Sequence, residues 1–163
     1  MTTELPEQLR LVMRQWTTGV AVVTSRFGSR VHGLTANSFN SVSLYPPLVT
    51  VTLEDRTRTR DLVERSGVFA VTILSAGQKQ IADLFAGKLG READRFAGVE
   101  VFSLESGAPL IAGGLAFLDC RVVASHPLGS PTLYLGEVRL AQLGEPGEPL
   151  VYHNRHFTRL QEP

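Results

Sequence analysis

The 163-residue chain carries 16 basic and 16 acidic side chains, a sequence pI of about 6.9 and one cysteine, Cys120. That length fits a single domain, 1–163, able to bury a real core. Balanced charge without a basic stripe argues against nucleic acid as a partner, and one thiol excludes an intramolecular disulfide and a cysteine-rich metal site.

Runs such as Val20–Val23 and Val68–Leu74 are too short to span a bilayer, so no membrane association is expected. The start, Met1-Thr-Thr-Glu-Leu-Pro6, lacks the cationic and apolar blocks of a secretory signal, and a cytoplasmic location is expected.

Leu5–Trp16 is predicted as a helix, because Leu9, Val12, Met13 and Trp16 recur at i, i+3, i+4 and i+7 and form one core-facing stripe. Gly19 ends that pattern, and a β-branched run follows over Val20–Thr24. Phe27-Gly28-Ser29-Arg30 is a hairpin turn into Val31–Ala36. Pro46-Pro47 punctuates before the strand Leu48–Leu53. A helix over Thr59–Arg65 stops at Ser66-Gly67, and Val68–Leu74 has the continuous apolar character of a central strand.

A short helix over Gln78–Phe85 places Ile81, Leu84 and Phe85 on one face. The charged, glycine-punctuated Gly87–Gly98 is predicted as a mobile loop or lid. Two long β runs, Leu115–Ala124 and Thr132–Leu143, flank His126–Pro131. Gly144–Pro149 is a turn, and Leu150–Tyr152 with His156–Thr158 forms a terminal strand pair. Many strands, three short helices and no regular βαβ alternation predict a mainly β fold with α additions, and no G-x-G-x-x-G follows a strand.

The most informative stretch is Gly33–Val49. Thr35, Asn37, Ser38, Asn40, Ser41 and Ser43 supply more donors and acceptors than a half-buried strand needs. Short polar side chains that let backbone N–H groups approach suit a flat polar ring system with a hydroxylated tail. Directly after the next strand comes Glu54-Asp-Arg-Thr-Arg-Thr59, where Thr57 or Thr59 can cap a helix whose start favours a phosphate. Arg56 and Arg58 add guanidinium donors there.

His32 and His126 stand alone, as surface or turn residues, and His153 and His156 at odd spacing in a strand would face opposite sides. No metal site is expected. Nucleophilic catalysis has no G-x-S-x-G to support it, and Cys120 in an apolar strand is a small buried hydrophobe.

Taken in order, Met13–Val20, Gly33–Phe39, Ser41–Val49, Thr57-Arg58-Thr59, Phe69-Ala-Val71, Gln78, Ala82–Phe85, Gly136-Glu-Val138 and Pro149–Tyr152 resemble the short-chain flavin reductases. These are the FMN-binding split-barrel reductase components of two-component flavin-dependent monooxygenases, and the resemblance runs from about Leu9 to Leu160. It implies a six-stranded antiparallel split barrel with Greek-key topology, a homodimer, and NAD(P)H-dependent reduction of FMN or FAD for a partner monooxygenase.

By the same resemblance, Thr35, Ala36, Asn37 and Ser38 border the flavin ring, Ser41, Val42 and Ser43 its edge and ribityl chain, and Thr57, Arg58 and Thr59 the phosphate. Phe85 lies on the helix that borders the flavin. Many family members carry Gly-Asp-His before the late strand, its histidine near the nicotinamide; here the triplet is Gly129-Ser130-Pro131. Proline has no donor, so His126, His153 and His156 become the catalytic candidates on the nicotinamide side. The departure keeps open a non-catalytic flavin carrier or sensor on the same fold, and a structural barrel whose polar loop serves dimerisation.

Overall fold

The computed structural model describes residues 4–90 and 92–161. The expectation for the first three residues, and Arg91 within the predicted lid, lie outside the described residues. The chain opens with α1 (Glu4–Met13), the short strand β1 (Thr18–Gly19) and the hairpin β2 (Ala21–Phe27) and β3 (Arg30–Ala36). Gly28 turns that hairpin at φ 60°, a conformation glycine adopts without a Cβ penalty. Next come β4 (Asn40–Leu44), β5 (Pro47–Glu54), α2 (Arg58–Ser66) and β6 (Val68–Ile73). A 3₁₀ turn over Ala76–Gln78 leads into α3 (Lys79–Phe85). Six strands complete the fold: β7 (Val101–Ser103), β8 (Pro109–Ile111), β9 (Ala116–Pro127), β10 (Pro131–Leu143), β11 (Val151–His153) and β12 (His156–Thr158).

The architecture is mainly β. The principal sheet has seven strands rather than the expected six, in the order β3-β2-β6-β9-β10-β5-β4, with every neighbouring pair antiparallel. The additional strand is β4, formed because part of the hydroxyl-rich stretch pairs with β5 across a bulge between Ser41 and Ser43. A three-stranded sheet, β1-β11-β12, and the pair β7-β8 pack beside it.

The sheet cannot be flat. Its two edge strands, β3 and β4, are joined by only Asn37, Ser38 and Phe39. Seven flat strands would separate those edges by about 29 Å at ordinary inter-strand spacing, whereas that connection reaches about 14 Å at most. The sheet therefore curls until its ends meet. Ser38 Oγ closes the seam, donating to the Thr52 carbonyl of β5 at 2.9 Å and accepting from the Thr52 N–H at 3.3 Å.

Inside the curl lie Val23, Val51, Leu53, Phe69, Val71, Cys120 and Tyr134, all essentially solvent-free. Burial pushes the Cys120 thiol up to about 12, so it is an inert small hydrophobe. β6 lies in the sheet interior, as its continuous apolar run predicts. Gly67 ends α2 in the left-handed conformation at φ 70°, the predicted stop.

A second expectation fails. α1 ends at Met13 and buries no residue, and the stripe predicted to face the core is exposed, with Trp16 67% accessible. Periodicity reports that a helix has an apolar face; it does not report what covers that face. The charged loop after α3 forms turns rather than a strand or helix.

Gly136 in β10 sits against the buried ring of Phe69. A Cβ there would lie 2.4 Å from Phe69 Cζ and 3.3 Å from Cys120 Cβ. Gly136→Ala is therefore expected to lower unfolding stability by about 1–3 kcal/mol, read from denaturant melts. An unchanged midpoint would show that this part of the core is looser than described.

Candidate functional site

A cavity of about 460 Å³ opens where the end of β3, the β5–α2 junction and the end of α3 converge. Its floor is built at the junction. β5 stops at Glu54, and Arg56 turns the chain in a left-handed conformation at φ 67°. Thr57 then caps α2, accepting from the Arg60 N–H at 3.3 Å and donating to the Glu54 carbonyl at 3.0 Å. The first-turn N–H groups of Arg58 and Thr59 have no carbonyl earlier in the helix to bond, so this helix start faces the cavity with partial positive charge.

Arg95 supplies the far wall. Its Nη1 donates to the Gly33 carbonyl at 2.9 Å and to the Phe85 carbonyl at 2.8 Å, tying β3, α3 and the charged loop together. Its Nε is buried without a hydrogen-bond partner, and no ion pair neutralises it among the described residues. Burial first, and then the neighbouring Arg58 charge, depress the Arg95 pKa. Arg58 pairs with Glu92 at 3.0 Å across the mouth, an exposed contact that a stronger anion can displace at little cost.

His32 was expected at the surface or in a turn. It is instead half-buried on β3 and lines the cavity, with Nδ1 2.8 Å from the Oγ1 of the fully buried Thr59. Burial foremost, then the charges of Arg95 and Arg58, press its pKa down to about 4, so the imidazole is neutral at ordinary pH.

Of the residues predicted from the sequence, Thr35, Ala36, Asn37, Ser38, Thr57, Arg58 and Phe85 line this cavity. Thr59 sits behind His32, and Ser41, Val42 and Ser43 lie on β4 outside the lining. Two hydroxyls are already engaged: Ser38 at the sheet seam, and Thr35, which donates to the Ala82 carbonyl at 2.6 Å.

His126, His153 and His156 line none of the described cavities. His153 and His156 do not alternate along one strand. They are direct partners across the β11–β12 hairpin, hence on one face, and His153 Nδ1 lies 2.8 Å from Thr17 Oγ1. Sequence reasoning missed His32, Glu54 and Arg95. Arg95 comes from 62 positions beyond Gly33, and its only signal was the charge of its loop; His32 adjoins the Gly33 segment and could have been included.

The profile of the flavin reductase like domain matches residues 13–161. This chain belongs to that family. It is similar to the reductase component of 4-hydroxyphenylacetate 3-monooxygenase from Thermus thermophilus, 35% identical with 98% of this chain and 99% of the relative covered. An NADH-dependent flavin reductase from Rhodococcus is 38% identical, over 96% of this chain and 87% of that one. Among solved structures, the NADH:FAD oxidoreductase SgcE6 of Streptomyces globisporus superposes with a TM-score of 0.90 at 37% identity, covering 99% of this chain and 97% of its own. The curled sheet and its cavity thus lie within a flavin reductase architecture.

The depressed His32 pKa carries a sign. Between the ordinary 6.5 and about 4, the unfolded chain takes up a proton that the folded chain refuses, so stability falls as pH drops through that window. His32→Gln is expected to lose that part of the acid sensitivity, giving a shallower decline of the unfolding midpoint from pH 6.5 to 4. An imidazole resonance titrating near 6.5 in the folded protein would contradict this.

Proposed function

We propose that the chain is an NAD(P)H:flavin oxidoreductase that reduces FMN or FAD and supplies the product to a flavin-dependent monooxygenase. One observation carries the reading. A cavity large enough for a flat ring ends in the α2 start, Arg58 and a half-buried Arg95 whose Nε is buried and unpartnered, which is a demand for a phosphate. A monooxygenase reductase component and NADH-dependent flavin and FAD reductases among the relatives support the activity. SgcE6, whose structure with NAD and FAD fragments is 38% identical, supports the pairing of flavin and nicotinamide.

A bound flavin supplies the hydride acceptor, and the reduced nicotinamide supplies two electrons and one proton as hydride. The chain's own residues hold and orient. Arg58, Arg95 and the N–H groups of the α2 start take the phosphate, and neutral His32 flanks it without adding a third charge. Thr35, Ala36, Asn37 and Ser38 border the ring, with Phe85 as an apolar wall. Thr57, as the cap that precedes α2, and Thr59, through His32, support the phosphate end. Ser41, Val42 and Ser43 reach the ligand only through the β4 edge that they form.

On the nicotinamide side all three histidines are exposed, and His153 is the one we retain, since its ring bonds Thr17, the sequence neighbour of Trp16, at 2.8 Å. Hydride transfer depends on orientation more than on acid–base help, so few catalytic side chains suffice. The non-catalytic carrier or sensor is not favoured; the Gly129-Ser130-Pro131 departure is its sole support.

The same reading covers the assembly. The single domain 1–163 is taken as a split barrel with Greek-key connections, supported by the curl and by the non-consecutive neighbours β6-β9 and β10-β5. A homodimer is supported by the uncovered Leu9, Val12 and Met13 of α1 together with Leu44 and Tyr45, which is 95% exposed. The proposed use of NAD(P)H leads us to place the protein in the cytoplasm; separately, no helix among the described residues is long and apolar enough to cross a membrane.

Two outcomes test the reading. Arg58→Ala is expected to weaken FMN about tenfold and riboflavin hardly at all in fluorescence titrations, because only FMN carries the phosphate; equal losses would contradict the phosphate role. Sedimentation is expected to give twice the 17.8 kDa chain mass, falling to one chain mass when Leu9 and Met13 are both changed to Glu. A wild-type protein that sediments as a single chain would remove the dimer.

A further inference from the structure

Beyond Asn37 the flavin cavity continues into two more. One, about 300 Å³, shares Thr35, Ala36, Asn37 and Ala86 with it. The next, about 360 Å³, shares Asn37, Tyr152 and Arg155 with that one and is walled by Arg10, Arg14 and Trp16. The three form one continuous groove with Asn37 at its middle.

Charge in this extension is one-sided. No carboxylate lines either cavity. Arg10 is engaged by Glu7 at 2.9 Å and Lys88 by Asp83 at 2.5 Å, whereas Arg14 and Arg155 have no ion-pair partner among the described residues. Arg14 Nε is buried and makes no hydrogen bond. A guanidinium held in that state is stabilised by an anion with oxygens to accept from it.

The backbone carries a second, independent sign. The β11–β12 hairpin turns on Asn154 at φ 48° and Arg155 at φ 67°. A two-residue turn with positive φ at both positions favours asparagine at the first and glycine at the second. Arginine at the second is strained, and such strain persists where a function holds it. The Asn154 N–H donates to the Arg14 carbonyl at 3.0 Å, so one contact fixes the end of the α1 segment to the turn and sets both arginines on the same cavity. Beside them, the exposed indole of Trp16 offers a flat aromatic face.

Two guanidinium groups next to an aromatic plane match a pyrophosphate with an attached base. We infer that Arg14 and Arg155 hold the pyrophosphate of the reduced nicotinamide dinucleotide, with its adenine stacked on Trp16, an assignment that rests on the first cavity being the flavin site. A dinucleotide anchored there extends its nicotinamide toward Asn37, where the ring end of the flavin lies on that reading. The arginines act through position rather than through a proton, which fits a site whose usual histidine has given way to Pro131.

Trp16 is the only tryptophan, so its emission reports on this cavity directly. Titration with ADP-ribose, which has the pyrophosphate and adenine but no nicotinamide, is expected to quench it. Arg155→Gly, which relaxes the turn, is expected to raise the ADP-ribose Kd and the NADH KM about tenfold while leaving the FMN Kd and the thermal midpoint no worse. Arg14→Gln should move both in the same direction, and Arg155→Lys should recover part of the loss. Unchanged ADP-ribose quenching and NADH KM in both Arg155→Gly and Arg14→Gln, with FMN binding intact, would overturn this inference alone. A parallel loss of FMN affinity would place Arg155 in the flavin site instead and overturn it too. Wild-type protein that binds no FMN would sink the flavin reading and this assignment with it.

Discussion

The site depends on one half-buried guanidinium, that of Arg95. Arg95 bonds the carbonyls of Gly33 and Phe85, so a residue from the charged loop ties the edge strand β3 to the end of α3. The wall exists only because Gly33 has no side chain: a Cβ there would lie 2.9 Å from Thr24 Cγ2 and 3.0 Å from Phe85 Cε1. Holding a cation partly out of water without a carboxylate is costly, and the cost falls when an anion arrives. Burial first, and then the field of Arg95 and Arg58, keep His32 neutral, which prevents a third cation from crowding the same space.

Topology brings that guanidinium to the helix start. Because three residues join opposite edges of a seven-stranded sheet, β3 and β5 approach each other at the Ser38–Thr52 seam. The same closure sets the end of β5, the Thr57 cap and the first turn of α2 beside β3. Asn37, in the connecting bend, lines the cavity on one side and the extended groove on the other. A polar bend that looks like a loop in sequence is thus the hinge between two halves of one groove.

Much of this was legible in the residues. The hairpin at Gly28, the α2 stop at Gly67, the interior strand β6 and the two long late strands follow from turn chemistry and apolar runs, which are local signals. The cap at Thr57 and the cavity-lining Thr35–Ser38 segment were legible for the same reason. Arg95 was not, because its role arises from a contact 62 positions away; His32 adjoins the legible Gly33 segment, but its bond to Thr59 spans 27 positions and leaves no local mark. The hydroxyl count misled in part, since Ser38 and Thr35 spend their hydrogens on backbone carbonyls. The α1 stripe was read as core because periodicity cannot distinguish a core from an uncovered face.

The most direct test is a crystal structure of the protein with FMN bound. The account predicts the phosphate within hydrogen-bond reach of Arg95, Arg58 and the α2 start, and the ring against Ala36 and Asn37. A ring bound elsewhere, or a phosphate that leaves the Arg95 Nε still unpartnered, would contradict it.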